Sequence, residues 1–327
     1  MFPMTGGLLL AISPKLHGLV VACTDTSGEE WSYDLDDELQ DLSCFLEAGS
    51  RSFVQRNTPY PGPPIIREES SFEELSAIIL LSRKYGSSHL YHAAVAWLEC
   101  QFTPDAAGFN MRTPPGFLET GAIGVLNLAR TINHSSLLAG AIFACCRLSV
   151  DDLTNGYTRE DRGKETLQLE DIVRVRLTRD RLLGACIVSA TCVYRSEPDP
   201  TCRRAKCRDS LDRIRQTTVD ALRAIRPSQP MRFPILEGGA LEHTDAGLCE
   251  ACAQMVKGRE REAKEEIWGL LPCIVDEVVP GWAGQCPKHC TAFSASGSLP
   301  DSDFEDLEYC NMDRPVHDWM RYRRTCQ

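Results

Sequence analysis

Apolar residues recur at intervals of three and four along much of the chain, which is the spacing of amphipathic helices. The clearest example covers residues 72–85, where Ser71 is placed to cap the helix, Glu74 stands three residues later and Gly86 ends it. Residues 89–102 repeat this spacing after a short turn. The pattern therefore predicts two antiparallel helices joined as a hairpin.

The same spacing predicts further helices, whereas signals for strands are few. The additional helices are predicted over residues 35–46, 117–133, 135–148, 167–193, 209–225 and 255–271. Residues 19–23 (LVVAC) form a short β-branched run that ends at a polar stretch, which is typical of a strand. The expected fold class is mainly α.

Proline and glycine positions predict how the chain is divided. Residues 104–116 contain three prolines and two glycines, which forbid a continuous helix, so we expect a linker there. Residues 1–103 are then a first domain, and residues 117–290 are a helical domain with a Cys-rich segment. Residues 291–327 are expected to be a flexible acidic tail.

The composition is that of a globular protein, with 43% hydrophobic and 25% charged residues in a chain of 327. Collagen, coiled coils and wholesale disorder are excluded. No apolar run approaches the roughly 18 residues of a membrane span, and the first residues lack the basic region of a secretory signal. We therefore expect an intracellular protein of the cytoplasm or nucleus that has no membrane partner.

The net charge of −11 repels nucleic-acid phosphates at long range. Residues 174–226 differ, because 13 Lys/Arg stand against 6 Asp/Glu there, a local charge of +7 that leaves −18 on the remainder. This stretch contains one aromatic residue, Tyr194, whereas surfaces that stack on bases interleave aromatic and basic residues. A solvated face or an acidic protein partner is therefore favoured over nucleic acid.

The sixteen cysteines are not spaced like a secreted disulfide scaffold, and most are expected to be reduced. Cys202 and Cys207 (CRRAKC) are followed, after 41 intervening residues, by Cys249 and Cys252 (CEAC). Two thiolate pairs brought together would complete a closed, tetrahedral structural zinc site. A disulfide or redox role and unlinked thiols stay open as alternatives, and His243 is a substitute ligand.

A second group of donors, Cys286, His289 and Cys290 (CPKHC), lies close in sequence but lacks an obvious fourth ligand. Cys145 and Cys146 lie in an apolar run and are expected to pack in the core. No nucleophile elbow, P-loop or dinucleotide-binding motif accompanies these residues. We therefore predict a protein without enzymatic activity.

Several segments, taken in order from residue 18 onward, carry a resemblance to a known family. They are GLVVACTD, a helical stretch, SFEELSAIILLSRKYGSSHLYHAAVAWL, VLNLART, SSLLAGAIFACC, and IWGLLP followed by Trp282. Their order resembles the second half of a BTB/POZ domain of the kind found in fungal, especially basidiomycete, proteins, with the helical region that usually follows it. The resemblance covers about residues 18–282. It implies recruitment of partner proteins such as ubiquitin-ligase scaffolds or transcriptional complexes.

The resemblance implies a partial BTB/POZ-like α/β segment followed by a helical, Cys-bearing C-terminal region. A complete BTB domain opens with strands and a helix that carries the dimer surface, and only 17 residues precede Gly18. We therefore expect this front half to be absent and the apolar face shared by helices 72–85 and 89–102 to be poorly covered. The oligomeric state stays open.

The expected function is that of a non-enzymatic BTB/POZ-like adaptor or scaffold with a structural zinc site. The alternative is a zinc-dependent nucleic-acid-binding or transcription-associated module that uses the basic residues 174–226.

Overall fold

The computed structural model describes residues 6–24, 36–57, 64–102, 117–159, 163–226, 229 and 247–275. Within these ranges the chain is mainly α, as predicted, with one two-stranded sheet. The helices are α1 (Gly6–Ile12), α2 (Pro14–Thr24), α3 (Leu39–Asn57), α4 (Phe72–Tyr85), α5 (Ser88–Phe102), α6 (Gly121–Ile132), α7 (Ser135–Cys145), α8 (Val150–Asn155), α9 (Leu169–Val193), α10 (Lys206–Arg223) and α11 (Glu250–Val275). The strands are β1 (Tyr157–Thr158) and β2 (Lys164–Glu165). None of the described helices is both long and apolar enough to cross a bilayer.

These elements form two compact units. The first contains α1–α7, both strands and most of α8, and the second contains residues 146–150 and the helices α9–α11. The units do not divide at the linker predicted for residues 104–116. The reason is that α6 packs against α4, and α7 against α5, so helices from both sides of that stretch share one unit.

The junction of α1 and α2 corrects the strand predicted at residues 19–23. The Ser13 Oγ accepts the backbone N–H of Leu16 at 2.9 Å, and Pro14 occupies the first helical position, where no N–H is needed. From this start α2 continues to residue 24, so the LVVAC run is helical. A capped helix start therefore overrides the β-branched run.

Side-chain hydrogen bonds tie this junction to the turn between α4 and α5. Ser13 Oγ donates to the carbonyl of Tyr85 at 2.7 Å, and Ser87 Oγ donates to the carbonyl of Ile12 at 2.7 Å. Ile12 itself is 1% exposed and lies against Gly49 of α3, where an added Cβ would come within 2.6 Å of the isoleucine side chain. The absence of a side chain at residue 49 is what lets α1 approach α3.

The helices α4 and α5 form the predicted hairpin. Ser71 Oγ accepts the N–H of Glu74 at 3.2 Å, and Gly86 ends α4 in the left-handed conformation with φ 72°. Their shared apolar face is fully buried: Leu75, Ile79, Leu90, Ala94 and Leu98 are each 0% exposed. The expectation that this face is poorly covered is therefore wrong, since α2, α3, α6 and α7 pack around the pair.

The two strands form a short antiparallel hairpin after α8, with Tyr157 opposite Glu165. Tyr157 also lies close to Gly124 of α6. A Cβ added to this glycine would fall 2.7 Å from the Tyr157 Oη and 2.4 Å from the ring of Phe72. Gly124 therefore allows α4, α6 and the hairpin to meet without an intervening side chain.

In the second unit α10 and α11 both pack against α9. α11 runs antiparallel to α9, because Tyr194 Oη, just after the end of α9, donates to Glu260 Oε1 at 2.8 Å, while Arg181 Nη1 donates to the carbonyl of Ile274 at 3.2 Å. α9 is thus the central helix of this unit.

Arg179 of α9 is a buried cation, only 6% exposed. Its guanidinium donates to three backbone carbonyls, those of Leu148 at 2.8 Å, Gln229 at 2.8 Å and Arg226 at 3.3 Å. Because these carbonyls come from the turn before α8 and from the chain after α10, one side chain connects both segments to α9.

Candidate metal centre

The four predicted metal ligands come from two turns, each of which leads into a helix. Cys202 precedes α10 and Cys207 lies in its first turn, while Cys249 immediately precedes α11 and Cys252 lies in its first turn. The N-terminal end of a helix carries the positive end of its dipole, which stabilises nearby negative charge. Two helix ends of this kind therefore favour thiolates at the site.

The four sulfur atoms form one compact group in which all lie within 4.8 Å of one another. The Sγ atoms of Cys202 and Cys249, one from each pair, are 3.6 Å apart. Four thiolates bound to zinc at about 2.3 Å would place their sulfurs about 3.8 Å apart. The prediction that the pairs come together is confirmed, and their spacing is compatible with one tetrahedral ion.

Backbone N–H groups surround the cluster. The N–H of Cys249 donates to Cys207 Sγ at 3.4 Å, and the N–H of Asp199 donates to Cys252 Sγ at 3.4 Å. Cys207 and Cys252 are buried, whereas Cys202 and Cys249 are partly exposed. Such outer hydrogen bonds orient metal ligands and stabilise the charge that thiolates carry.

The environment separates the pKa values of the thiols. The backbone N–H of Cys252 is the main cause that lowers the pKa of Cys249 to about 7, because it donates to the sulfur just before α11. Burial raises the pKa of Cys252 to about 12 and also raises the pKa of Cys207. A bound cation would be needed to keep these two buried sulfurs as thiolates at neutral pH.

Gly247 is the part of the site that the sequence analysis missed. It has φ 80°, a conformation that residues with a side chain rarely adopt, and it turns the chain two residues before Cys249. A Cβ there would lie 3.3 Å from Ser210 Oγ of α10. The predicted helix start at residue 255 was also late, because α11 begins at Glu250 and so carries Cys252. The glycine shortly before the CEAC pair was the available signal.

The loop between the first two cysteines presents basic side chains to solvent. Arg203, Arg204 and Lys206 are exposed, and none of the three forms an ion pair with a carboxylate of the described residues. Tyr194, the one aromatic residue of the basic stretch, is 0% exposed and donates to Glu260. The described part of this stretch therefore offers cations on its surface and no ring for base stacking.

Other sequence candidates divide between the core and the undescribed ranges. Cys145 and Cys146 are buried, as predicted, and burial raises the pKa of the Cys146 thiol. Five further candidates lie outside the described ranges: His243, Cys286, His289, Cys290 and Trp282.

No family model, no curated protein and no solved structure matches this chain. The BTB/POZ resemblance stays a prediction from the motifs and their order.

Proposed function

We propose that this is a non-enzymatic protein-interaction protein, a BTB/POZ-like adaptor or scaffold, whose second unit is stabilised by one structural zinc ion. The ligands are Cys202, Cys207, Cys249 and Cys252. The observation that carries the zinc site is the convergence of these four sulfurs to within 4.8 Å of one another. Four thiolates fill a tetrahedral coordination sphere and leave no position for a substrate, as in structural and not catalytic zinc sites.

The proposed ion would connect the start of α10 to the start of α11, both of which pack on α9. It would also fix the loop that carries Arg203, Arg204 and Lys206, because a ligand stands at each end of that loop. Side chains fixed in this way lose less entropy on binding than those of a mobile loop. The exposed cations, and the lack of an exposed aromatic ring within the described residues 174–226, support an acidic protein segment as the partner.

Elemental analysis of the full chain, purified under reducing conditions, tests the metal. We expect one zinc ion per chain and its loss in C202S/C249S, which removes one ligand from each pair. The control is C192S, since Cys192 is a partly exposed thiol of α9 outside the cluster. A wild-type protein that carries no zinc and binds none on titration with Zn²⁺ would exclude the site.

Fluorescence anisotropy with a labelled polyglutamate peptide, duplex DNA and single-stranded RNA tests the class of partner. We expect the zinc-loaded protein to bind the peptide and the triple variant R203Q/R204Q/K206Q to bind at least tenfold more weakly. A variant that loses equal charge on exposed arginines outside the loop is the control: R176Q/R213Q/R223Q. Tighter binding to nucleic acid, weakened by salt and lost in the loop variant, would favour the nucleic-acid-binding alternative instead.

A further inference from the structure

The four sulfurs of the cysteine cluster differ in their access to solvent. Cys207 and Cys252 are each 0% exposed, whereas Cys202 and Cys249 are partly exposed. Oxidation of a cysteine depends on thiolate character and on access to the sulfur. All four sulfurs are thiolates when they bind zinc, so the difference in access decides which of them a small dissolved oxidant reaches first.

The two partly exposed sulfurs are also neighbours. Their Sγ atoms are 3.6 Å apart although they come from different turns, so an approach of about 1.5 Å gives the S–S distance of a disulfide. Both residues lie outside the helices, Cys202 four residues before α10 and Cys249 one residue before α11. Cys207 and Cys252, in contrast, each lie in the first turn of a helix and point into the protein.

We propose that the cluster is a redox switch, in which a hydroperoxide joins Cys202 to Cys249 as a disulfide and releases the metal ion. This inference rests on the proposed zinc site and assigns it a form of regulation. Cys207 and Cys252 stay reduced, because burial shields their sulfurs from the oxidant.

One molecule of peroxide supplies the chemistry. One of the two exposed thiolates attacks a peroxide oxygen, the O–O bond breaks, and the sulfur becomes a sulfenic acid as hydroxide leaves. The second thiolate attacks this sulfur, so that the S–S bond forms, the S–O bond breaks and a second hydroxide leaves. The two sulfurs lose two electrons to the peroxide, and protons from solvent convert both hydroxides to water.

The ion leaves because the disulfide removes two of its four ligands. A thiolate binds metal and a disulfide sulfur does not, and two sulfurs cannot fill a tetrahedral site. Zn²⁺ enters solution, and Cys207 and Cys252 each take up one proton to become thiols.

The disulfide connects the same two segments as the ion. It joins the loop before α10 to the residue before α11, so the second unit keeps a link between these helix starts after the ion has left. A reductant restores both thiols, since sulfenic acid and disulfide are reversible steps of cysteine oxidation and sulfinic acid is not. The cluster therefore exchanges a metal link for a covalent link when peroxide is present.

The test begins with the zinc content of the full chain, purified under reducing conditions and then freed of reductant without oxygen. This protein is treated with equimolar hydrogen peroxide, and released zinc is measured with a chromogenic chelator. We expect the loss of one zinc ion per chain and the formation of one disulfide, both reversed by a phosphine reductant and added Zn²⁺. The control C192S removes a partly exposed thiol outside the cluster and should respond as the wild type does.

Mass spectrometry of the unreduced protein locates the bond. Trypsin cuts between Cys202 and Cys207, and a glutamate-specific protease cuts between Cys249 and Cys252, so each pairing gives linked peptides of different mass. We expect the Cys202–Cys249 pairing. C252S should form the same bond with peroxide whether or not it holds zinc, because it keeps both reacting sulfurs.

The outcomes separate this inference from the zinc site. A chain that holds no zinc before peroxide is added and takes up none overturns the site and this inference with it. A chain that holds zinc and keeps it under peroxide overturns the redox switch alone. Release of zinc with another pairing, with a bond between two chains, or with sulfinic acid in place of the disulfide also overturns the switch and leaves the zinc site standing.

Discussion

At the scale of single residues, the second unit depends on a buried cation that has backbone partners. Arg179 donates to the carbonyls of Leu148, Arg226 and Gln229, all three of which lie outside α9. A planar guanidinium can reach carbonyls in several directions at once, whereas a lysine ammonium is a single point of charge on a flexible stem. The position therefore favours arginine over other residues of similar length.

Replacing Arg179 with methionine should lower the free energy of unfolding by about 3 kcal/mol, because buried carbonyls lose a charged donor. R179K should lower the free energy of unfolding by a smaller amount, since one ammonium cannot donate to all three carbonyls. The measurement is urea unfolding of the zinc-loaded chain. R176M is the control, because Arg176 lies on the exposed side of the same helix. Equal stabilities of R179M and R176M would contradict this role.

The four clustered cysteines show which features of a site can be predicted from single residues and which cannot. Paired cysteines could be predicted as a site because the spacing of each pair lets two sulfurs reach one ion. The N–H of Asp199, which donates to Cys252, could not be predicted, because any residue supplies a backbone N–H and only the fold places it. The same limit applies to Arg179, which looks like any other charge of the basic stretch.

At the scale of elements, Gly49, which has no side chain, sets the distance between α1 and α3. A Cβ on Gly49 would lie 2.6 to 2.8 Å from three carbons of Ile12, which is closer than carbon atoms pack. Ile12 is buried and its carbonyl is held by Ser87, so the neighbour cannot simply move aside.

G49A should therefore destabilise the protein by about 1 to 3 kcal/mol through overpacking. I12A shortens the side chain that an alanine at residue 49 would meet. The double variant I12A/G49A should therefore be destabilised by less than the sum of the losses in the two single variants. G184A is the control, because Gly184 lies in α9 with nothing within 4 Å of an added Cβ and alanine favours helix. Thermal unfolding distinguishes them: destabilisation by G184A equal to that by G49A would contradict the steric explanation.

Helices could be predicted where local signals and packing agree, as in α4, whose N-cap Ser71 and terminal Gly86 both behave as expected. The strand predicted at residues 19–23 was wrong because Ser13 and Pro14 together start α2, and the helix continues through the β-branched residues. The prediction that the α4–α5 face is poorly covered was wrong for another reason. It depends on α6 and α7, which are distant in sequence and were assigned to a different domain.

At the scale of the whole molecule, the two units should respond differently to metal. All four sulfurs of the cluster belong to the second unit, and α10 and α11 begin at them. Removing the proposed ion should therefore destabilise that unit by the free energy of metal binding, without direct effect on the packing of α4 and α5.

Hydrogen exchange with and without a zinc chelator measures this difference. We expect at least tenfold faster exchange in the first turns of α10 and α11 after chelation, and unchanged exchange in α4 and α5. The C202S/C249S variant should reproduce the pattern without chelator, which excludes an effect of the chelator itself. Uniform acceleration in both units, or no change in either, would contradict a structural ion confined to the second unit.

The separation of the two cysteine pairs along the chain also has a kinetic consequence. Joining Cys202 to Cys252 closes a loop of about 50 residues. If a metal link restricts the unfolded chain as a covalent link does, closing this loop lowers the conformational entropy of the unfolded state by roughly 4 kcal/mol in free energy. During synthesis the first pair leaves the ribosome well before the second and can offer an ion only two sulfurs. The proposed four-thiolate site would therefore form late, and refolding of the second unit should then depend on the concentration of free zinc.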